Sequence, residues 1–310
     1  MKILFMGTPD FAAVALKALI EAGHEIVLVV TKPDKKSGRG GKVVPSAVRQ
    51  VAQEYDLPVF QPVRVREAEA AEKLRSVQAD IGVVAAFGQI LSAENLNAPR
   101  LGCVNIHASL LPLYRGSSPI QNAILSGDAE SGVTIMQMDE GVDTGDILLQ
   151  ESLPIAPDET AGSLFNKLAE LGASLIVRAL PQIEAGELVP KKQDEKRATI
   201  TRMISKEMGE IRWRESAFRI ERQIRAMTPW PSAFTRLPDG RVLKIWKAQP
   251  VESRTQQLPG CVTDIDDDSF TVACGEGALR VLEVQLEGRK RMSVHDFLLG
   301  FSAEQGLILV

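Results

Sequence analysis

The sequence has few of the residues that cross-link a fold or bind metals. Its 310 residues include three cysteines and three histidines. Cys103, Cys261 and Cys274 are odd in number, widely spaced and outside any Cys-x-x-Cys pair. We therefore expect free thiols in a reducing, cytoplasmic compartment, and neither structural zinc nor another metal cofactor.

Long hydrophobic runs and nucleotide-binding glycine patterns are also missing. No stretch approaches the ~20 apolar residues that a membrane helix needs, so no membrane association is expected. The apolar start of the chain ends at once in GTPD, residues 7–10, which does not suit a signal peptide. The same turn lacks the G-x-G-x-x-G pattern, and a dinucleotide site is therefore not expected.

Charge is unevenly distributed along an otherwise ordinary composition. The chain is 45% hydrophobic and 25% charged, with a net charge of −4, and its length suits about two domains. Residues 190–250 carry 15 basic and 7 acidic side chains, a local net charge of +8. Such a segment is either a solvated face or a surface for a polyanion such as nucleic acid.

The first half alternates apolar strands with amphipathic helices. Strands are predicted at residues 3–6, 25–31, 81–85, 104–107 and 133–138, and helices at residues 11–22 and 68–77. This order predicts an α/β fold with a doubly wound, mostly parallel, Rossmann-like sheet. Ligands bind such sheets beyond the carboxyl ends of the strands.

The second half changes to short strands separated by turns. After a polar segment at residues 190–206 and a helix at residues 216–225, strands are predicted at 232–237, 243–250, 260–264, 269–274 and 278–286. Five short strands predict a small β-barrel, of the oligonucleotide-binding kind. We expect a catalytic domain over residues 1–189, a linker over residues 190–206 and the barrel over residues 207–310.

A candidate site lies at the end of the fourth predicted strand. Strand alternation puts Asn105 and His107 on one face, and an acidic glycine loop that contains Asp143 follows downstream. Ser109 lacks the glycine elbow of a hydrolase, whereas Cys103 shares the face of His107 and stays open as a nucleophile. An amide, an imidazole and a carboxylate without a covalent intermediate suit direct acyl transfer to an amine.

Longer motifs carry a resemblance to a known family. Residues 104–112 (VNIHASLLP), 132–139 (GVTIMQMD) and 141–146 (GVDTGD) resemble the formyltransferases that use 10-formyltetrahydrofolate. Residues 5–11 (FMGTPDF), the loop from residue 32 to residue 40 and residues 225–231 (RAMTPWP) narrow this to the methionyl-tRNA formyltransferases. The resemblance extends from about residue 3 to about residue 300.

The resemblance implies formyl transfer from 10-formyltetrahydrofolate to the amino group of initiator methionyl-tRNA. We also expect the protein to be a monomer. It implies Asn105, His107 and Asp143 as catalytic residues. The folate site would include Ser109, Leu110, Leu111, Pro112, Phe87, Gly88, Gln89, Ile90, Asp139 and Val142. Arg39 and Lys42, in a basic glycine-rich loop that is otherwise a surface insertion, would contact the tRNA, together with the barrel.

Two other functions stay open at this point. The first is a folate-dependent transformylase that acts on a small amine, such as glycinamide ribonucleotide or an amino sugar. The second is a non-catalytic RNA-binding protein. The basic segment and the barrel argue against the first, and the intact polar trio argues against the second.

Overall fold

The structure is a computed structural model that describes residues 1–37, 42–253, 256–301 and 304–310. The chain forms two compact units. The first unit comprises Met1–Pro119, Glu130–Pro154 and Phe165–Thr201, and the second comprises Ile120–Ala129, Ile155–Leu164 and Arg202–Val310. Two short segments of the first half thus belong to the second unit. The domain limits expected from the sequence stay a prediction.

The strands are numbered in chain order. They are β1 Lys2–Gly7, β2 Glu25–Val30, β3 Lys35–Ser37, β4 Lys42–Val44, β5 Val59–Phe60, β6 Ile81–Ala85, β7 Cys103–His107, β8 Arg115–Gly116, β9 Glu130–Gln137, β10 Ile147–Pro154, β11 Ile200–Thr201, β12 Ala233–Arg236, β13 Val242–Val251, β14 Val262–Ile265, β15 Phe270–Ala273, β16 Ala278–Leu286 and β17 Met292–Ser293.

The helices are numbered in the same way. They are α1 Asp10–Glu21, α2 Ala47–Glu54, α3 Ala68–Ser76, α4 Ala93–Leu96, α5 Pro119–Ser126, α6 Ala161–Ala185, α7 Ala217–Ala226 and α8 Val294–Gly300. Short 3₁₀ turns occupy Glu195–Arg197 and Glu207–Gly209. Among the described helices, none is both long and apolar enough to cross a membrane.

A seven-stranded sheet organises the first unit and confirms the predicted α/β class. Its order is β10-β9-β7-β6-β1-β2-β5. The five strands from β7 to β5 run parallel, whereas β9 is antiparallel to both β7 and β10. Every residue of β6 is buried, as expected for a parallel strand covered by helices on both faces.

Helix α6 packs closely against the middle of this sheet. A Cβ atom on Gly172 would lie 2.8 Å from the Ile106 side chain, so a larger residue there would press on β7. Phe11 of α1 and Phe165 of α6 meet edge to face, with 5.8 Å between their ring centres. Helix α6 thus packs tightly against β7, and the candidate site lies at the carboxyl end of this strand.

The second unit is an antiparallel sheet of short strands, which confirms the predicted change of fold. The strands follow the order β12-β13-β16-β15-β14, with β17 beside β16. The last residues of the chain join the two outer strands: Val310 exchanges backbone hydrogen bonds with Arg236, and the Val262 amide donates to the Leu307 carbonyl over 2.8 Å. This closes the sheet, although the oligonucleotide-binding kind of barrel stays a prediction.

The segment expected to be a linker pairs with the first unit. Lys191 and Ile147 exchange backbone hydrogen bonds, and β11 runs parallel to β8. Polar composition predicts a solvated connection, but these pairings give the backbone partners within the folded unit. Residues 191–201 are therefore part of the structure around the candidate site.

Candidate active site

The three side chains expected to be catalytic converge at the end of β7. The Asn105 Nδ2 atom donates to the Asp143 Oδ1 atom over 3.4 Å. The His107 Nδ1 atom lies 3.6 Å from the Asp143 Oδ2 atom. The His107 and Asp143 side chains are only 7% and 15% exposed, so the carboxylate and the imidazole meet at a largely buried site. Strand alternation therefore predicted correctly that Asn105 and His107 share a face.

A hydrogen bond from the other ring nitrogen, Nε2, fixes the orientation of the His107 imidazole. His107 Nε2 lies 3.0 Å from the Tyr114 carbonyl oxygen. Because a carbonyl can only accept a hydrogen bond, Nε2 carries a proton in this contact. Nδ1 is then the nitrogen that faces Asp143, and this ring atom can exchange a proton with groups in the pocket.

Asp143 reaches the pocket from the loop between β9 and β10. Its backbone has a φ of 54°, in the left-handed region that aspartate tolerates better than most residues. Two glycines of the loop allow its tight path. A Cβ atom on Gly145 would collide with the Gln137 carbonyl, and one on Gly141 would collide with the Thr144 hydroxyl.

The backbone of Gly116 binds the Asp143 carboxylate. Its amide donates to Asp143 Oδ2 over 2.8 Å. Gly116 has a φ of 104°, and a Cβ atom there would collide with the Thr201 carbonyl of the paired strand β11. Only glycine fits this position, which explains a glycine in the YRG sequence that follows the HASLLP turn.

Hydrogen bonds to Thr134 hold the turn after β7. The Thr134 hydroxyl donates to the Ser109 carbonyl over 2.6 Å and accepts from the Leu111 amide over 3.1 Å. The Gln150 amide donates to both the Thr134 hydroxyl and the Leu111 carbonyl. Sequence reasoning missed Thr134 and Gln150, because nothing in the strand pattern distinguishes an inward threonine that orders a neighbouring turn.

The residues expected to bind folate divide into buried and accessible groups. Ser109, Leu111, Pro112 and Phe87 are buried, and the Ser109 hydroxyl donates to the Leu113 carbonyl over 2.6 Å. Leu110 is half-buried. These side chains give the turn its shape.

Several other expected folate residues form the surrounding loops. The Gln89 side chain accepts from the Val65 amide and donates to the Pro62 carbonyl, and Gly88 has a φ of 70°. The Asp139 carboxylate accepts from the Gly141 amide and the Thr144 hydroxyl. Ile90 and Val142 are 70% and 62% exposed, which leaves two apolar side chains accessible to a ligand.

Of the two expected tRNA contacts, Arg39 lies outside the described residues. Lys42 begins β4, which pairs antiparallel with β3. The segment interpreted from sequence as a basic glycine-rich loop is thus flanked by two short paired strands, at residues 35–37 and 42–44.

A buried arginine next to the pocket was not assigned a role from the sequence. The Arg115 guanidinium donates to the Gln193 side chain and binds both carboxylate oxygens of Glu195. The hydrogen bonds to Glu195 raise the pKa of Arg115, and the negative charges of Asp139 and Asp143 act in the same direction. The same contact lowers the pKa of Glu195.

Cys103 is not available as a nucleophile. Its side chain lies in the apolar core beneath the sheet, and burial raises the pKa of its thiol to about 12. A thiol with this pKa stays protonated at neutral pH and reacts poorly. Among the described residues, no cluster of three or more histidine, cysteine, aspartate or glutamate side chains could hold a metal ion.

Comparisons with known proteins agree with this geometry. Residues 1–180 match the formyl transferase family, and residues 203–302 match its C-terminal domain. The chain is 50% identical to a methionyl-tRNA formyltransferase from Agathobacter rectalis, over 99% of this chain and 98% of the relative. It is 49% identical to the protein of that name from Marinobacter nauticus, over 97% and 96% of the two chains.

Solved structures share the fold at low sequence identity. An N-formyltransferase from Helicobacter canadensis, in complex with folinic acid and dTDP-3-aminofucose, has a TM-score of 0.66 at 20% identity; the match covers 94% of this chain and 100% of that one. A glycinamide ribonucleotide transformylase from Symbiobacterium toebii has a TM-score of 0.52 at 19% identity and covers 63% and 94%. With relatives near 50% identical over almost its entire length, this chain belongs to the methionyl-tRNA formyltransferase family of enzymes.

Proposed function

We propose that this enzyme transfers the formyl group of 10-formyltetrahydrofolate to the α-amino group of methionine esterified to initiator tRNA. The single observation that carries the proposal is the convergence of Asn105, His107 and Asp143 at the end of β7, in a chain about half identical to enzymes of that name. The products are N-formylmethionyl-tRNA, which serves translation initiation, and tetrahydrofolate.

The reaction exchanges one carbon–nitrogen bond for another. The methionine amino nitrogen attacks the formyl carbon, and the formyl oxygen gains negative charge as a tetrahedral intermediate forms. The bond from this carbon to N10 of the folate then breaks. The amine loses one proton and N10 gains one, so protons and charges balance without a covalent enzyme intermediate.

Asn105 and His107 act on the formyl oxygen. The Asn105 amide carries two N–H donors, and only one is needed for its contact with Asp143. His107 is held by Tyr114 at Nε2, so Nδ1 is the ring nitrogen that faces the reacting atoms, and it donates to the formyl oxygen when it carries a proton. Donors fixed in advance in a largely buried pocket stabilise an oxyanion more than water does.

Asp143 orients His107 and receives the amine proton through a water molecule. Its carboxylate is placed by the Gly116 amide and lies beside both other side chains. The same carboxylate lies 3.6 Å from His107 Nδ1 and can accept a hydrogen bond from that atom. Substitution of His107 or Asp143 therefore affects both the removal of the amine proton and the stabilisation of the oxyanion.

The formyl donor would occupy the pocket between three loops. Ser109, Leu110, Leu111 and Pro112 shape one side, and the loops at residues 87–90 and 139–142 form the others. The buried side chains fix these loops, and the exposed apolar atoms of Ile90 and Val142 suit an aromatic pterin ring. No metal takes part in this proposal.

The acceptor, methionyl-tRNA, is bound mainly through the negative charge of its phosphates. We assign tRNA contacts to Arg39 and Lys42, within the catalytic domain over residues 1–189, and to the basic residues of the barrel domain over residues 207–310. Residues 190–250 have a net charge of +8, which suits a phosphate backbone. A monomer in the cytoplasm suits this function, and the three buried free cysteines suit a reducing compartment.

A panel of acceptors tests the proposal. The purified protein receives 10-formyltetrahydrofolate together with initiator methionyl-tRNA, glycinamide ribonucleotide or a nucleotide-linked amino sugar. We expect formylation of the tRNA and little of either small amine. Preference for a small amine would overturn the acceptor assignment, and tRNA binding without tetrahydrofolate release would identify a non-catalytic RNA-binding protein.

A further inference from the structure

The side chain of Gln193 binds the main chain of the loop that carries Asp143. Its Nε2 atom donates to the Asp143 carbonyl over 2.9 Å and to the Gly145 carbonyl over 2.7 Å. Its Oε1 atom accepts from Arg115 Nε over 3.0 Å. The side chain is buried, and both N–H donors of its amide are engaged on the same three-residue stretch.

Arg115 in turn fixes the Gln193 amide. With its Nε atom on Gln193, the guanidinium places its two other nitrogens on Glu195, so its orientation is determined from two sides. Only the oxygen of an amide can accept from an arginine. The contact therefore directs the Gln193 N–H groups toward the loop carbonyls rather than away from them.

Besides the Asn105 side chain, two contacts help to place the Asp143 carboxylate. Gly116 binds the carboxylate oxygen, and Gln193 binds the main chain from which the side chain projects. The left-handed backbone of Asp143 makes the second contact important, because a residue at φ 54° needs surrounding hydrogen bonds to keep it there.

We infer that Gln193 is a positioning residue that holds the Asp143 loop in its catalytic conformation. The inference rests on the catalytic role proposed for Asp143. It also explains why a polar segment that resembles a linker is folded against the first unit: residues 191–201 supply the support of the active-site loop. Loss of this support displaces the carboxylate, and a displacement of about 1 Å can lower a catalytic rate on the order of 100-fold.

The first test compares Gln193→Leu with Gln182→Leu. Gln193→Leu keeps the approximate size of the side chain and removes both donors to the loop. Gln182→Leu makes the same change at a glutamine whose amide donates to the Arg178 carbonyl within α6.

We expect kcat to fall about 10- to 100-fold in Gln193→Leu, with a KM for 10-formyltetrahydrofolate within about threefold of wild type, because the step that is lost is chemistry rather than donor binding. Gln182→Leu should stay within about twofold in both constants. Equal losses of kcat in the two variants would overturn the inference.

A double-mutant cycle separates positioning from general destabilisation. In an Asp143→Ala background, Gln193→Leu should change kcat by less than about twofold, since the group that it positions is already absent. An undiminished further loss would show that Gln193 acts elsewhere and would overturn the inference. Near-normal activity of Asp143→Ala itself would instead refute the proposed role of Asp143, so the two failures are distinguishable.

Gln193→Glu keeps the test decisive if the leucine variant does not fold. A glutamate retains an acceptor for Arg115 but offers no N–H to the loop carbonyls. We expect loss of kcat with faster hydrogen exchange of the Gly116 amide, which donates to the Asp143 carboxylate, by about tenfold or more. A folded Gln193→Glu protein with normal kcat and unchanged exchange would overturn the inference.

Discussion

The two units of the chain use buried polar side chains differently. In the first unit, several buried polar residues lie around the end of β7 and form hydrogen bonds there: His107, Ser109, Arg115, Thr134, Gln193 and Thr201. The second unit instead has a continuous apolar core of barrel strands and helix α7, including Trp213, Ile220, Ile245, Phe270 and Val281. The comparison teaches that the polar interior of the first unit builds the candidate site, whereas the interior of the second unit is filled mainly by apolar packing.

The largest loss of kcat is expected for a substitution in the candidate site that leaves the hydrophobic cores of both units intact. Asn105→Ala removes an oxyanion donor, and loss of one such donor lowers kcat on the order of 10²–10³-fold in other enzymes. Steady-state formylation of initiator methionyl-tRNA measures the loss. Asn105→Asp should be equally impaired, because it keeps the shape and loses the N–H groups. Recovery of activity in Asn105→Asp would mean that the amide is not a donor.

Gly116→Ala should affect both the site and the fold of the first unit. The added methyl group collides with the Thr201 carbonyl at a φ of 104°, so we expect a destabilisation of about 1–3 kcal/mol. The amide that binds Asp143 also moves, and kcat should fall at least about tenfold. Thermal unfolding and initial rates measure the two effects.

Gly23→Ala is the matched control, since Gly23 has a φ of 80° but nothing within 4 Å of the added atom. It should lose stability and keep kcat. An active Gly116→Ala enzyme would show that the contact with Asp143 is dispensable.

Substitution of Arg39 or Lys42 should weaken tRNA binding without changing the rate of the chemical step. Arg39→Ala or Lys42→Ala should raise the KM for methionyl-tRNA several-fold and lower the salt slope of binding by about one, as expected for one lost phosphate contact. Filter binding over a range of salt concentrations measures this slope. Lys17→Ala, an exposed charge on α1, is the control. An altered kcat at saturating tRNA would place these residues in the chemical step.

The smallest effect on formyl transfer is expected from the core of the second unit. Ile245→Ala leaves a cavity at a fully buried position and should cost about 2–5 kcal/mol of unfolding free energy, with kcat unchanged in the folded enzyme. Lys247→Ala, exposed on the same strand, should change stability by less than about 0.5 kcal/mol. Denaturant unfolding provides the comparison, and equal stabilities would contradict the assigned core.

Much of the difference between the two units, and part of the candidate site, is predictable from local sequence patterns. Period-two alternation placed Asn105 and His107 on one face, and the change from long alternating segments to short strands separated the two folds. The Asp143 loop was recognisable from its acidic glycine sequence. These features depend on residues within a few positions of each other, which periodicity and turn chemistry report directly.

The features that sequence reasoning missed depend on distant hydrogen bonds. Gln193 binds a loop 48–50 residues away, and Thr201 approaches Gly116 across 85 positions, within a stretch whose composition resembles a linker. The closure of the second unit by Val310 and Arg236 is equally remote in sequence. A side chain that satisfies distant backbone groups leaves no periodic signal, so only the folded structure identifies it.

Single-turnover formyl transfer by His107→Ala tests the central claim most directly. The enzyme is saturated with 10-formyltetrahydrofolate, mixed with initiator methionyl-tRNA and sampled for formylated product, and the donor Kd is measured separately. The predicted result is a rate lowered by about 10²–10³-fold with a nearly unchanged Kd, because His107 stabilises the transition state rather than the bound donor. A near-normal rate would contradict the assignment of the trio as the catalytic centre.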